Sequence, residues 1–388
     1  MAQDFVGSNN INLLEPSGQF GTRLDGGKDA ASPRYIFTKL KPIARKVFPE
    51  IDDVLLKYKV DDGQRIEPSY FCPVIPLILV NGSQGIGTGW STSIPSHNPK
   101  DVLDYIKAKL ESNSNLPRIR PWVRNFQGEI QLKEDKTGYI SMGNIKKMSS
   151  TRVKISELPV GRWTNDYKTF LLRMRDKGEI QTFEENHTTT SVSFTITLKS
   201  VQLKRMIKSG LNKSFRLEAP LPTTNMHAFD DNFAIRKYEN PENIIEAFFP
   251  IRLNLYRERK QNMERLMNYE SQLLKNKSRF ISDVSDGCID IINKRKSKAD
   301  TESILVQMNY DKMSHMELMK DGIEADKELE CTNEFDYLLN MPLSSLTSEK
   351  FLKLTSEAKE IESKLIILQN TSPEDLWYND LKALETYL

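Results

Sequence analysis

Residues Pro73–Pro99, PVIPLILVNGSQGIGTGWSTSIPSHNP, mark where the chain changes its manner of folding. An apolar run ends at Val80, and four glycines then fall among the eleven residues Val80–Trp90. Ile86 stands between Gly85 and Gly87, one bulky aliphatic side chain on an otherwise bare stretch of backbone. From here to about residue 240, short alternating segments such as Ser191–Leu198 and turns at Gly128 and Gly143 predict a mixed α+β region. Upstream, residues 1–72 are rich in Gly, Asn and Asp turns. They are followed by an expected helix from about Arg34 to Val47, ending at Phe48-Pro49.

Downstream, residues 243–388 read as helical and charged. Phe249, Leu253, Tyr256, Met263, Met267, Leu274, Ile281 and Val284 follow a mostly four-and-three spacing that Lys260, Glu270 and Lys277 interrupt. Phe351, Leu354, Ala358, Ile361, Leu365 and Leu368 keep that spacing without a miss, as a coiled-coil seam requires. Two long helices are expected, forming an antiparallel pair. Asn293–Pro342, which includes FDYLLNMPL, is too long for a turn and predicts a small helical knob at the end of the pair. A short last helix should begin at Ser372-Pro373, with Ser372 as its N-cap. The stripes are explained by packing within the chain, yet two helices leave much surface unburied, so a second copy docking at the knob is expected as well.

Bulk composition narrows the function. At 388 residues the chain exceeds one ordinary hydrophobic core. Its 55 basic and 53 acidic residues give a formal charge of +2, so any polyanion site must be a local patch. The three cysteines, Cys72, Cys288 and Cys331, lack metal-ligand spacing and read as reduced intracellular thiols. None of the four histidines, His97, His187, His227 and His315, is spaced as a zinc pair, so no protein-only metal site is expected. No segment approaches the roughly 20 apolar residues of a membrane span, and the N-terminus has no signal-peptide pattern.

Two stretches carry candidate chemistry. In GGKDAASPRYIFTKL, Gly26–Leu40, Arg34 directly precedes Tyr35 after a polar loop that reads as loose. A phenol with an ordinary pKa near 10 is a poor nucleophile at neutral pH. A neighbouring guanidinium can stabilise both the phenolate and the charge that develops on an attacked phosphate. Arg23 and Lys28 add positive charge nearby. The same pair also reads as a packing tyrosine beside a surface arginine. The loop Val80–Trp90 lacks the Lys-Ser/Thr of a nucleotide P-loop. Ile86 therefore reads either as a wedge of the kind that enters a base step and bends DNA, or as an anchor tucked into its own domain.

Longer blocks join these stretches. FVGSNNINLLEPSGQFGTRLDGGKDAASPRYIFT, RIEPSYFCPVIPLILVNGSQGIGTGWSTSIP, ISELPVGRWT (Ile155–Thr164) and SPEDLWYNDL (Ser372–Leu381) strongly resemble the breakage-reunion core of eukaryotic DNA topoisomerase II, a type IIA topoisomerase. The resemblance implies that Tyr35 attacks a DNA phosphodiester and becomes joined to the 5′-phosphate. It further implies that Arg34 supports the transition state and that Ile86, flanked by Gly85 and Gly87, intercalates. It casts residues 1–72 as the second half of a winged-helix domain, 73–242 as a tower domain, and 243–388 as a coiled coil ending in the lower dimer gate. Arg216–Asn225, RLEAPLPTTN, aligns with a tower stretch that contacts DNA, making Arg216, Thr223, Thr224 and Asn225 candidates; the same stretch also reads as an ordinary loop.

Ser83-Gln84 departs from the usual Ala-Glu, toward the bacterial gyrase form. The partners implied are double-stranded DNA and a second copy of the chain, in the nucleus and with no membrane. Magnesium is the implied cofactor, with its Toprim ligands outside this sequence, and ATP belongs to the full-length protein only. The chain accordingly reads as an excised fragment or truncated product, expected not to cleave DNA alone at a useful rate. A non-catalytic DNA-bending and dimerisation scaffold is the competing reading, and a coiled-coil structural protein a third.

Overall fold

In the computed structural model, residues 1–135, 137–289, 298–313, 334–342 and 346–388 are described. Arg152–Glu157 shows how the central sheet is made: its side chains alternate exposed and buried, placing Val153, Ile155 and Glu157 inward. Antiparallel partners complete a four-stranded sheet in the order Thr182–Glu185, Phe194–Thr197, Arg152–Glu157, Asn144–Lys147. Onto it packs Thr164–Asp176, whose Tyr167, Leu171 and Met174 join Phe194, Ile196, Phe215 and Leu217 in one buried cluster. The hydroxyl of Tyr167 donates to the Phe215 carbonyl at 2.8 Å, so its burial leaves no polar atom unmatched, and the same burial raises its pKa. A second sheet runs Glu218–Pro222, Gly138–Met142, Glu129–Leu132. The α+β expectation is met by these small, open sheets.

The chain divides into two units, Met1–Phe48 with Cys72–Arg252 and Tyr378–Leu388, and Pro49–Phe71 with Leu253–Trp377. In the first unit, the buried side chain of Asn10 donates to the carbonyls of Val80 at 2.8 Å and His97 at 3.0 Å, while its Oδ1 accepts from the Arg124 amide at 2.9 Å. Asn81 is bonded to Ile11 in both directions, accepting its amide at 2.8 Å and donating to its carbonyl at 3.1 Å. The asparagines of the opening block thus tie the N-terminus to the segment that precedes Gly82.

The expected helix from Arg34 to Val47 is not formed. Pro33–Tyr35 is a single 3₁₀ turn, Phe37–Leu40 is a strand paired antiparallel with Leu14–Ser17, and only Ala44–Val47 is helical. Pro42 has no amide to donate and disfavours helical geometry at Lys41, and a strand partner distant in sequence captures Phe37–Leu40.

In the second unit, Arg259 holds Asp52 bidentately at 2.6 and 2.7 Å, and Tyr256 stacks on Trp377 with centroids 5.6 Å apart. The first long helix spans Pro241–Ser285, its start capped by the Asn240 side chain, which accepts from the Asn243 amide at 2.8 Å. The second spans Ser348–Asn370. Lys260 donates to the Gln369 carbonyl at 3.0 Å and Lys275 pairs with Glu362, so the helices run antiparallel. All six residues of the unbroken stripe are buried or half-buried, whereas Leu352, Ile366 and Ile367 are exposed. The final helix, Pro373–Glu385, starts as expected: the Ser372 hydroxyl accepts from the Asp375 amide at 3.0 Å.

Of the expected knob, Lys298–Gln307 and Asp336–Leu339 are helical, and Leu305, Tyr310, Phe335 and Leu338 pack with Phe280 and Ile289. The rest of that expectation, with Cys331 and His315, lies outside the described residues. Cys72 and Cys288 are not disulfide-bonded. Among the described residues no helix is long and apolar enough to cross a membrane.

Candidate functional site

Tyr35 closes the 3₁₀ turn, its amide donating to the Ser32 carbonyl at 2.9 Å, with Pro33 fixing the first position. The ring is 65% exposed, and the guanidinium of Arg34, also exposed, lies over it at 5.0 Å from the centroid. The phenol is open to solvent and carries a cation on its face. The reading of Tyr35 as a packing residue is therefore excluded.

The segment ahead of this turn is built, not loose. Asp29 accepts the amide of Thr22 at 2.8 Å and its hydroxyl at 2.6 Å, the Gly27 amide donates to the Thr22 carbonyl at 3.0 Å, and the Ala31 amide to the Gln19 carbonyl at 2.9 Å. Burial pushes the Asp29 carboxyl up, but the bonds from Thr22 outweigh it and hold the group below its ordinary pKa. Gly26 adopts φ +63°, and a Cβ there would lie 2.2 Å from the Trp163 ring, so the loop and ISELPVGRWT are fitted to each other through a missing side chain. Asn165 strengthens the join, its amide donating to the Leu24 carbonyl at 3.0 Å and its side chain to Asp25 at 2.9 Å.

Arg23 requires a correction. Its side chain is buried against the equally buried Glu157, and Nη2 also reaches the Leu158 carbonyl at 3.3 Å. It is a strut inside the protein, not a DNA-facing cation. Glu157 had a readable signal: it occupies the inward phase of Arg152–Glu157, where an unpaired carboxylate would be costly. Lys28, by contrast, is exposed.

Ile86 ends the strand Ser83–Ile86, which pairs with Ser91–Ile94 in the register Ser83↔Ile94 to Ile86↔Ser91. The Gly87 amide donates to the Trp90 carbonyl at 2.7 Å and closes the tip. Ile86 is 93% exposed and a Cβ on Gly85 would touch nothing within 4 Å, so the tucked-anchor reading is excluded. Gly82 sits at the other end with φ +71°, where a Cβ would meet the Ile94 carbonyl at 2.7 Å; only glycine lets the strands close there.

Within RLEAPLPTTN, Arg216 is exposed with its guanidinium 4.9 Å over the Phe170 ring, Thr223 is half-buried and Thr224 exposed. Asn225 is half-buried. Its Nδ2 donates to Ser91 Oγ at 2.9 Å, its Oδ1 lies 2.9 Å from His227 Nδ1, and its carbonyl accepts from the Ser93 amide at 2.8 Å. Both side-chain atoms are committed within the protein, next to the hairpin that carries Ile86. The Tyr35 turn and the Ile86 hairpin thus rest on different supports, Trp163 and Glu157 for the first and the Asn225–His227 segment for the second. Among the described residues no group of three or more His, Cys, Asp or Glu is placed to hold a metal ion.

The family model for the DNA gyrase/topoisomerase IV A subunit matches residues 1–382. The chain belongs to that family. Over its whole length it is 41% identical to DNA topoisomerase 2 of Arabidopsis thaliana, and over 99% of its length 40% identical to DNA topoisomerase 2-alpha of Gallus gallus. It spans 28% and 25% of those relatives, respectively. The solved DNA-binding, cleavage and re-ligation domain of Plasmodium falciparum topoisomerase II superposes with a TM-score of 0.86 at 39% identity, over 99% of this chain and 53% of that one.

Proposed function

We propose that this chain is the DNA breakage-reunion part of a type II DNA topoisomerase. The observation that carries the reading is Tyr35, exposed at the end of a braced loop with the Arg34 guanidinium over its ring. Tyr35 Oη attacks a backbone phosphorus, the bond from phosphorus to the 3′-oxygen breaks, the phenolic proton passes to solvent, and the leaving 3′-oxygen takes up a proton from solvent. A 5′-phosphotyrosyl bond and a free 3′-hydroxyl result, and the reverse attack reseals the strand without outside energy. Arg34 supplies planar donors that stabilise the phenolate and the charge on the phosphate. Ile86 enters a base step and bends the duplex, and Lys28, Arg216, Thr223 and Thr224 serve phosphates.

Residues 1–72, 73–242 and 243–388 are taken as part of a winged-helix domain, a tower, and a coiled coil with a dimer gate. Two copies each cut one strand, and the duplex passed through leaves by the gate, in the nucleus. Magnesium, when bound in this family, neutralises phosphate charge; among the described residues no group of three or more His, Cys, Asp or Glu is placed to hold it. ATP is assigned to the full-length protein only.

The test joins this chain to the remainder of a type II topoisomerase and traps the covalent tyrosyl–DNA adduct. Tyr35→Phe should abolish the adduct while DNA affinity stays within threefold. An adduct that persists in Tyr35→Phe overturns the assignment, and a parent that binds and bends DNA without any adduct favours the scaffold.

A further inference from the structure

The tip that carries Ile86 has almost nothing of its own to hold it. A two-stranded hairpin is marginal by itself, and Gly85 and Gly87 leave both flanks of the isoleucine without side chains. A wedge that opens a base step works against a few kcal/mol of stacking. Unless the hairpin is stiffer than the duplex, the hairpin bends instead of the DNA.

We propose that Asn225 and the strand Met226–Phe229 form a brace for this hairpin, with Asn225 and His227 as positioning residues that hold Ile86 at its angle of entry. The proposal rests on the wedge reading of Ile86. Contacts converge on the strand opposite the wedge. Ser91, the register partner of Ile86, has its hydroxyl held by Asn225 Nδ2 at 2.9 Å. One residue on, Thr92 Oγ1 donates to the His227 carbonyl at 2.7 Å, and the Ser93 amide donates to the Asn225 carbonyl at 2.8 Å.

The imidazole of His227 meets the Trp90 indole edge-on, centroids 5.6 Å apart, and it is the Trp90 carbonyl that receives the Gly87 amide at the tip. Because Asn225 donates its amide to Ser91, its Oδ1 is the acceptor for His227 Nδ1–H at 2.9 Å, which locks the two braces to each other. Force on Ile86 therefore passes through Ser91 and Trp90 into a strand paired with Ile235–Tyr238. His227 and Asn225 act through Ile86, not on DNA.

The experiment uses this chain joined to the remainder of a type II topoisomerase and a linear duplex with a dye at each end, reading bending by energy transfer and affinity by anisotropy. Ile86→Ala is expected to abolish the bent state with affinity within threefold. Asn225→Ala and His227→Ala are expected to lower the bent fraction at least fivefold, with affinity within threefold and an unchanged melting temperature. His227→Phe, which keeps a ring edge against Trp90, is expected to recover part of the bending. Thr92→Val removes one hydroxyl from an otherwise intact fold and is expected to lower bending even where the larger changes impair folding. Normal bending in Asn225→Ala, His227→Ala and Thr92→Val, with bending lost in Ile86→Ala, overturns the brace and leaves the wedge standing. Normal bending in Ile86→Ala overturns the wedge and the brace together. Affinity falling in step with bending makes these residues DNA contacts and overturns the positioning role.

Discussion

Arg23 and Glu157 form a buried ion pair across 134 residues of sequence, and the carboxylate also accepts the amides of Leu158 at 2.8 Å and Gln127 at 3.1 Å. The pair bolts the loop leading to Tyr35 onto the end of a core strand. Removing one member leaves a charge in a dry place, which typically costs about 3–5 kcal/mol. Arg23→Met is therefore expected to lower unfolding free energy by about 3 kcal/mol in urea, with an unchanged denaturant slope. Arg23→Lys should recover little, because an ammonium cannot reach both Glu157 and the Leu158 carbonyl in the guanidinium's geometry. A loss under about 1 kcal/mol for Arg23→Met would show the pair to be solvated.

Gly26 gives a second prediction on the same loop. A methyl there would lie inside the Trp163 ring contact, at a backbone φ of +63° that L residues avoid. Gly26→Ala is expected to destabilise by about 1–3 kcal/mol and to shift the Trp163 fluorescence maximum. Adduct formation should fall with it, since the displaced loop carries the Tyr35 turn. Gly63→Ala is the control: φ is also positive, at +75°, but nothing lies within 4 Å, so it should report backbone strain alone.

What the sequence made legible follows from how local each signal is. The stripe from Phe351 to Leu368 and the cap at Ser372-Pro373 depend on spacings of a few residues, and both are found in place. The glycine bracket around Ile86 read as a bare loop, and the structure makes it a hairpin tip. Strand Phe37–Leu40 was hidden because its partner, Leu14–Ser17, lies far back in the chain, so local pattern suggested a helix that Pro42 opposes. Arg23 read as a DNA contact because a basic residue in a loop is ordinarily solvated, and only the fold brings Glu157 to it.

His97 makes stability depend on pH. It is fully buried, its Nδ1 lies 3.1 Å from the Leu79 carbonyl, and its Nε2 has no hydrogen-bond partner among the described residues. Burial lowers its pKa from 6.5 to about 4, against smaller opposing effects of bonds with Leu79 and Pro95. Between those values the unfolded chain binds a proton that the folded chain refuses. Stability is thus complete above pH 6.5 and is lost as pH falls toward about 4, by roughly 3 kcal/mol in all. Urea titrations from pH 7 to 4 should show this slope in the parent and a shallower one in His97→Gln. Equal slopes would place the titration on other groups.

The helix Ser348–Asn370 allows a comparison between adjacent residues of nearly equal size. Leu365 belongs to the buried stripe at 9% exposure, and Ile366, the next residue, is 58% exposed. Leu365→Ala removes packed methyls and leaves a cavity, so a loss of about 2–3 kcal/mol is expected. Ile366→Ala replaces a β-branched side chain by the best helix former at a surface position, and its effect should stay within about 0.5 kcal/mol. Thermal melts of the two variants measure the difference directly, provided protein concentration is varied. If Ile366→Ala is the costlier change and its penalty grows with concentration, the exposed face is buried in a second copy and the stripe is the lesser interface.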